Sequence, residues 1–283
     1  MGVVMGAAAA PGTLETPLRI AISEQAVPGV NRNDAAAALA VWADEMAKAV
    51  NLRLADKVWL RPSAEVLAAL RTGNLDLLCL TVPEYRRVAA FLDTERVLTD
   101  GGQEMWVMAA QGSGITKLSG LAGRHLIILD SPQTQLVDAW LTGALFKEGL
   151  SGKEPVRVTR QTRPAQAILP VFFGQADACV ASKRTVETMY ELNPQLGKKL
   201  RVVQASPKLV GAFMACRKDY PAHYKIPLLE KLTQARDSPA GKQVMTLFSS
   251  FNFVMTDGEV LRPSLAVVEG AEKLNEVLLT EKR

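Results

Sequence analysis

The chain has 283 residues, 48% of them hydrophobic and 22% charged, and its 33 Lys and Arg against 29 Asp and Glu leave a net charge of +4. That balance excludes a disordered chain, which needs low hydrophobicity and high net charge, and the length suffices for one large or two ordinary domains. It shows no excess of positive charge to follow a nucleic-acid backbone, and no run of about 20 apolar residues to cross a bilayer as a helix.

In chain order, residues 1–14 come first, beginning Met-Gly-Val-Val-Met-Gly-Ala-Ala-Ala-Ala-Pro. They read either as the remnant of a secretory signal lacking its basic front end or as an Ala-rich disordered leader. Leu18–Ile22 is a short apolar strand. Asp34–Val50 carries Leu39, Val41, Trp42, Met46 and Val50 at helical spacing, with Asn33 or Asp34 as its N-cap. Lys57–Leu60 is a second strand. Pro62 and Ser63 open a helix that Gly73 stops, and Leu75–Leu80 is a third strand, apolar enough for burial on both faces.

A second series follows: a strand over Glu104–Ala109, a short segment over Ser119–Gly123, a strand over His125–Leu129 and an amphipathic helix over Gln133–Glu148. After it come a strand at Val156–Val158, a helix at Pro164–Phe173, a strand at Ala176–Ala181 and a helix at Thr185–Leu192. The two series echo each other locally. Gly73-Asn-Leu-Asp76 and Gly174-Gln-Ala-Asp177 each end a helix on Gly and set an Asp at the mouth of an apolar strand. Leu200–Val203 and Val210–Cys216 are strands, Pro221–Arg236 and Ala240–Leu247 helices, Phe251–Met255 extended, and Leu265–Leu279 a closing amphipathic helix. The late helices have no strand series of their own, so they are expected to cover the first domain. Strands alternating with helices call for α/β architecture with mainly parallel sheets. The expected division is lobe one over 15–104 and 208–283, discontinuous, with lobe two over 105–207 inserted and two crossings near 103–108 and 205–212.

Cys79, Cys179 and Cys216 are an odd count without Cys-x-x-Cys spacing. Each sits in an apolar run, as a small buried hydrophobe does. The chain has no Gly-x-Ser-x-Gly elbow, no Gly-x-x-x-x-Gly-Lys-Ser/Thr loop and no His-Glu-x-x-His. His125 and His223 lack neighbours that would make a triad or metal site, so no nucleophile, base, metal ligand or cofactor is nominated.

The order of elements resembles a type II periplasmic substrate-binding protein of an ABC transporter, in the phosphate/phosphonate-binding subgroup. The residues that carry the likeness are Gly73-Asn-Leu-Asp-Leu-Leu and Thr81-Val-Pro-Glu-Tyr85 in lobe one. In lobe two they are Leu118-Ser-Gly-Leu-Ala-Gly-Arg-His-Leu-Ile, Asp130-Ser-Pro-Gln-Thr134 and Gly174-Gln-Ala-Asp-Ala. Arg124 stands where such proteins usually have Lys, and Pro132 where a small polar residue is usual. The resemblance implies two hinged lobes with two mixed, mainly parallel sheets and a periplasmic or extracytoplasmic location. A small anionic ligand would be held between the lobes (phosphonate, phosphate or a related oxyanion or organic acid), with an ABC permease and ATPase as partners. A sensing module for a receptor, or an enzyme on the same fold, are the alternatives.

In such a fold ligands lie beyond the carboxyl ends of the strands, where helix N-termini converge. Three turns qualify. Ser23 opens the first, and Thr81, Glu84 and Tyr85 form the second, with Pro83 placed for a first helical turn. The third is Asp130, Ser131, Gln133 and Thr134, where Ser131 would cap and Pro132 would open the long helix. Free N–H groups and the helix dipole suit an anion, and Ser131 and Thr134 add hydroxyls. Glu24, Glu84 and Asp130 either cap helices or pair with the ammonium of an aminoalkyl ligand, capping being the stronger reading. Tyr85 offers a hydroxyl and a ring face, or packs on its own helix. Lys183 and Arg184 read as a solvated helix start that could face the ligand.

Overall fold

The computed structural model describes residues 17–27, 31–55, 59–131, 134–150, 156–234, 237–247 and 253–280. The expected leader over 1–14, Lys57, Pro132, Gln133 and Phe251 lie outside them. The chain divides into one unit of Met1–Gly101 with Ala212–Val260 and a second of Gly102–Gly211 with Leu261–Arg283.

In the first unit, β1 (Ile20–Ser23) is followed by α1 (Arg32–Ala49), β2 (Trp59–Arg61), α2 (Ser63–Arg71), β3 (Leu77–Thr81) and α3 (Val82–Arg86). Next come β4 (Val97–Thr99) and, after the chain returns, β10 (Ala212–Cys216), α8 (Ala222–Thr233), α9 (Pro239–Leu247) and β11 (Val254–Thr256). The sheet order is β11-β4-β10-β3-β1-β2. α1 starts two or three residues earlier than its apolar pattern suggests, because Asn31 caps it, accepting from the N–H groups of Asn33 (2.9 Å) and Asp34 (3.2 Å). It buries Ala35, Leu39, Trp42 and Met46 against Ile22, Leu77 and Met214 of the sheet, while Val41 stays exposed.

The second unit contains β5 (Met105–Ala110), β6 (His125–Leu129), α4 (Val137–Lys147), β7 (Arg157–Gln161), α5 (Pro164–Phe172), β8 (Ala178–Ser182), α6 (Lys183–Leu192), α7 (Pro194–Lys199), β9 (Leu200–Ala205) and α10 (Arg262–Thr280). Its sheet order is β7-β6-β8-β5-β9. Both sheets are mixed: among the strands of the described residues, β2-β1-β3 and β7-β6-β8 pair in parallel and the other strand pairs are antiparallel. The balance is therefore more antiparallel than the expected mainly parallel sheets, because β5 and β10, which carry the chain between units, run against the strand–helix–strand series.

The closing helix corrects the expectation that it covers the first lobe. α10 packs along α4 in the second unit, and the buried Ser264 hydroxyl accepts the N–H of Val210 at 2.8 Å. α4 is apolar on more than one side. Its Trp140 and Leu141 are buried, and its small residues Ala139, Gly143 and Ala144 line, with Ala266, Gly270 and Ala271 of α10, a hollow of about 740 Å³. The chain consequently passes between units three times, at 101/102, 211/212 and 260/261, instead of twice.

The Gly-x-x-Asp echo has one structural meaning in both units. Gly73 (φ 72°) and Gly174 (φ 74°) take the left-handed conformation that ends α2 and α5. Asp76 then accepts from the backbone N–H of Arg19 (2.9 Å) and from its guanidinium (2.7 and 2.9 Å). Asp177 accepts from the N–H of His125 (2.8 Å) and the guanidinium of Arg124 (3.1 Å). Each Asp thus locks the amino end of one parallel strand to its neighbour, at the end of the sheet opposite the turns that follow β1, β3 and β6.

Candidate functional site

At the carboxyl ends of β1 and β3, Ser23, Thr81 and Glu84 form one buried cluster. The Ser23 hydroxyl donates to Glu84 Oε1 at 2.5 Å and accepts from the Gln25 N–H at 3.3 Å. Glu84 Oε2 accepts from the Thr81 N–H (2.7 Å) and the Thr81 hydroxyl (2.9 Å), and that hydroxyl accepts from the Glu84 N–H (3.3 Å). This is a capping box at the start of α3, with Thr81 as N-cap and Glu84 three residues on. Ser23 enters it from the adjacent strand. Both carboxylate oxygens meet donors within the protein, so the arrangement orders the turn. Beneath it, burial and then the Glu84 carboxylate push the Cys79 thiol up to about 12, which keeps that thiol protonated at neutral pH.

Tyr85, one residue on, is half-buried, its ring meeting Phe213 of β10 edge-on with centroids 5.3 Å apart. Edge-to-face packing fixes the ring plane and leaves the phenol end as the polar handle of this turn.

At the carboxyl end of β6 the structure departs from the expected helix start. α4 begins at Val137 with Leu136 as N-cap, so Ser131 caps no long helix. The chain instead makes a turn held by the buried Thr134 hydroxyl, which accepts from the Ser131 N–H (3.0 Å) and donates to the Leu129 carbonyl (2.7 Å). Thr134 is a structural post for the turn. The Ser131 hydroxyl is half-buried, 3.3 Å from that of Thr134. Asp130 is exposed, and its N–H continues the ladder by donating to Gln161 at 2.8 Å. Gln133 lies outside the described residues.

A second feature of the same unit draws on separate chain segments. Ser182 caps α6, accepting from the Thr185 N–H at 3.2 Å. Lys183 and Arg184, in the first turn of α6, line with Gln103, Glu104, Glu187 and Lys208 an open hollow of about 330 Å³. Lys183 Nζ stands 5.5 Å from the Trp106 ring centroid and 4.0 Å from Glu187. Three cations against two carboxylates leave the hollow positive. Lys183 and Arg184 stand out in the sequence as the start of a helix, whereas Gln103, Glu104 and Lys208 do not, because no local pattern joins three segments separated by tens of residues.

Among the described residues no group of His, Cys, Asp and Glu could hold a metal ion, and no helix is long and apolar enough to cross a membrane.

Comparison with known proteins supplies the frame for these turns. The model of the family described as ABC transporter, phosphonate, periplasmic substrate-binding protein matches residues 25–261. No curated protein sequence matches the chain. Among solved structures, XAC2383 from Xanthomonas citri bound to ATP is similar at a TM-score of 0.62 and 14% identity, with 92% of this chain and 99% of that one covered. PhnD1 from Prochlorococcus marinus in complex with methylphosphonate is similar at a TM-score of 0.54 and 14% identity, covering 91% and 98%. These likenesses show the two-lobed α/β fold. The family match extends over most of the 283 residues, from the turn after β1 to the start of α10, and by it the chain belongs to the phosphonate-type periplasmic substrate-binding proteins of ABC transporters.

Proposed function

We propose that this protein captures a small oxyanion of the phosphonate, phosphate or sulfonate class at the turns beyond β3 and β6, and presents it to an ABC permease and its ATPase. The observation that carries the reading is the Ser131 turn: Thr134 is tied into the backbone beneath it, and the Ser131 hydroxyl remains at the end of a buried strand. The positive hollow around Lys183 adds attraction for an anion at the same end of that sheet. An ammonium-bearing ligand loses its best partner, because Glu84 is buried and engaged by Ser23 and Thr81. The protein works by binding, without catalysis and without nucleic acid.

Calorimetry with methylphosphonate, inorganic phosphate and a neutral sugar tests this. Ser131→Ala removes a charge-assisted hydrogen bond of about 1.5–3 kcal/mol and should weaken anion binding roughly ten- to hundredfold. Because Ser131 caps no helix, the melting temperature should stay where it is. Tyr85→Phe should weaken binding too. Full affinity in both variants would remove these two residues from the site, and tight binding of the sugar with none of the anions would overturn the anion reading.

A further inference from the structure

The positive hollow of the second unit is assembled from three chain segments, and backbone pairing holds each of them. β8 runs parallel to β6 with Val180 beside Ile128. Ser131 and Lys183, each three residues further on, therefore follow neighbouring strands at the same end of the sheet, and such strands lie about 4.8 Å apart. On the other side of β8, Met105 of β5 pairs with Ser182, and the Lys183 N–H donates to the Glu104 carbonyl at 2.8 Å. Gln103 and Leu209 exchange backbone bonds of 2.9 Å, which brings Lys208 to the same hollow.

The two carboxylates there do not hold the cations firmly. Glu104 Oε2 accepts the Trp106 indole N–H at 3.3 Å. Glu187 stands 4.0 Å from Lys183 Nζ, with 51% and 41% of the two side chains exposed, and an exposed pair at that distance is worth little. Lys208 makes no ion pair with a described residue. Lys183 can thus exchange Glu187 for an acid group on a ligand, in a space of about 330 Å³.

We propose that this hollow receives a second acidic group of the ligand whose oxyanion sits at the Ser131 turn. The ligand class is then a diacid, a phosphonate, phosphate or sulfonate joined by a short linker to a carboxylate or a second phosphoryl group. Lys183 and Lys208 set this specificity, and the spacing of adjacent strands keeps the linker to a few atoms. The proposal rests on the reading that the Ser131 turn binds an oxyanion. A single-headed ligand such as methylphosphonate fills the turn and leaves the hollow to water.

Calorimetry on the full chain tests this, with methylphosphonate against phosphonoacetate, 3-phosphonopropionate and pyrophosphate. At least one diacid should bind about tenfold tighter than methylphosphonate. Lys183→Gln and Lys208→Gln should each weaken that diacid about threefold and together about tenfold, as exposed charge pairs do, with methylphosphonate unchanged. Glu187→Gln should strengthen diacid binding, because it removes the competing carboxylate. Lys147→Gln, at the end of α4, should leave the ratio of the two affinities as it is. Equal losses for methylphosphonate and the diacid in the lysine variants, or a matching loss in Lys147→Gln, would reduce the hollow to general attraction and overturn the proposal. Diacids no tighter than methylphosphonate, with methylphosphonate still dependent on Ser131, would remove the second group and keep the site. If none of these anions binds, or if Ser131→Ala binds all of them as the native chain does, the functional reading falls and the diacid with it.

Discussion

Glu84 shows how a residue's role depends on what surrounds it. The Thr81-x-x-Glu84 spacing is legible in sequence as a cap, but the third partner, Ser23, sits 61 positions upstream and is brought in only by the β1–β3 pairing. Glu84→Ala would leave the buried Ser23 hydroxyl and Thr81 N–H without their acceptor. The loss should be about 1.5–3 kcal/mol, read as a lower urea midpoint. The buried Lys225 and the half-buried Asp93 form an ion pair that ties α8 to the stretch before β4. Burial alone would raise the Asp93 carboxyl, but hydrogen bonds from Lys225 and the Glu95 N–H, with the charges of Lys225 and Lys218, bring it below the usual carboxylate value. A carboxyl depressed in the folded state adds stability that is full above its unfolded value, about 3.9, and is lost as pH falls through the folded value. Asp93→Asn should thus lower the urea midpoint at pH 7, and the gap to the native chain should close below about pH 4. The cysteines follow the same logic with a neutral outcome. Burial pushes Cys179 and Cys216 up to about 12, so at pH 8 only about one in 10⁴ is thiolate. Both should stay unreactive to a thiol reagent until the protein unfolds.

At the scale of elements, the helices and strands were legible where a periodic apolar run met a stop signal, as in α2 before Gly73 and α5 before Gly174. Three elements escaped for different reasons. β4 is only three residues long, too short to show alternation. α7 is a six-residue helix opened by Pro194 directly behind α6, and reads as a linker. The start of α4 was misplaced because Ser131-Pro132 has the composition of a helix start, whereas Thr134 turns the chain back onto the Leu129 carbonyl first. α10 was legible as a helix but not in its partner, since an apolar stripe carries no address. Its docking makes a prediction: Ser264→Ala should leave the Val210 N–H buried without an acceptor, costing about 1–3 kcal/mol in urea unfolding.

For the whole molecule, the crossings at 101/102, 211/212 and 260/261 are the places where a change between the units must be absorbed. Gly101 (φ 83°) and Gly102 (φ 76°) both occupy the left-handed region, which a side chain would strain. Gly102 also lies 3.3 Å, measured from a built Cβ, from the Leu209 backbone. Scattering with methylphosphonate at saturation should give a smaller radius of gyration than without it. Gly102→Val should lose both stability and this response. An identical profile with and without a tightly bound anion would argue against ligand-linked closure.

The sequence by itself determined the α/β class, the family and the three turns worth inspecting, and placed the first two crossings between the units but not the third. The class and the turns follow from the local period of apolar residues and from short motifs within about ten residues, and the family from the resemblance that those motifs and the order of elements carry. The tertiary structure decided which hydroxyls are consumed and which are offered, that α10 belongs with α4, and that Lys183, Arg184, Gln103, Glu104 and Lys208 share one hollow. Those outcomes depend on hydrogen bonds and packing between residues tens of positions apart, such as Ser23 with Glu84 and Val210 with Ser264. A side chain's sequence neighbours settle which element it sits on, and only the neighbouring strands and helices settle what it touches.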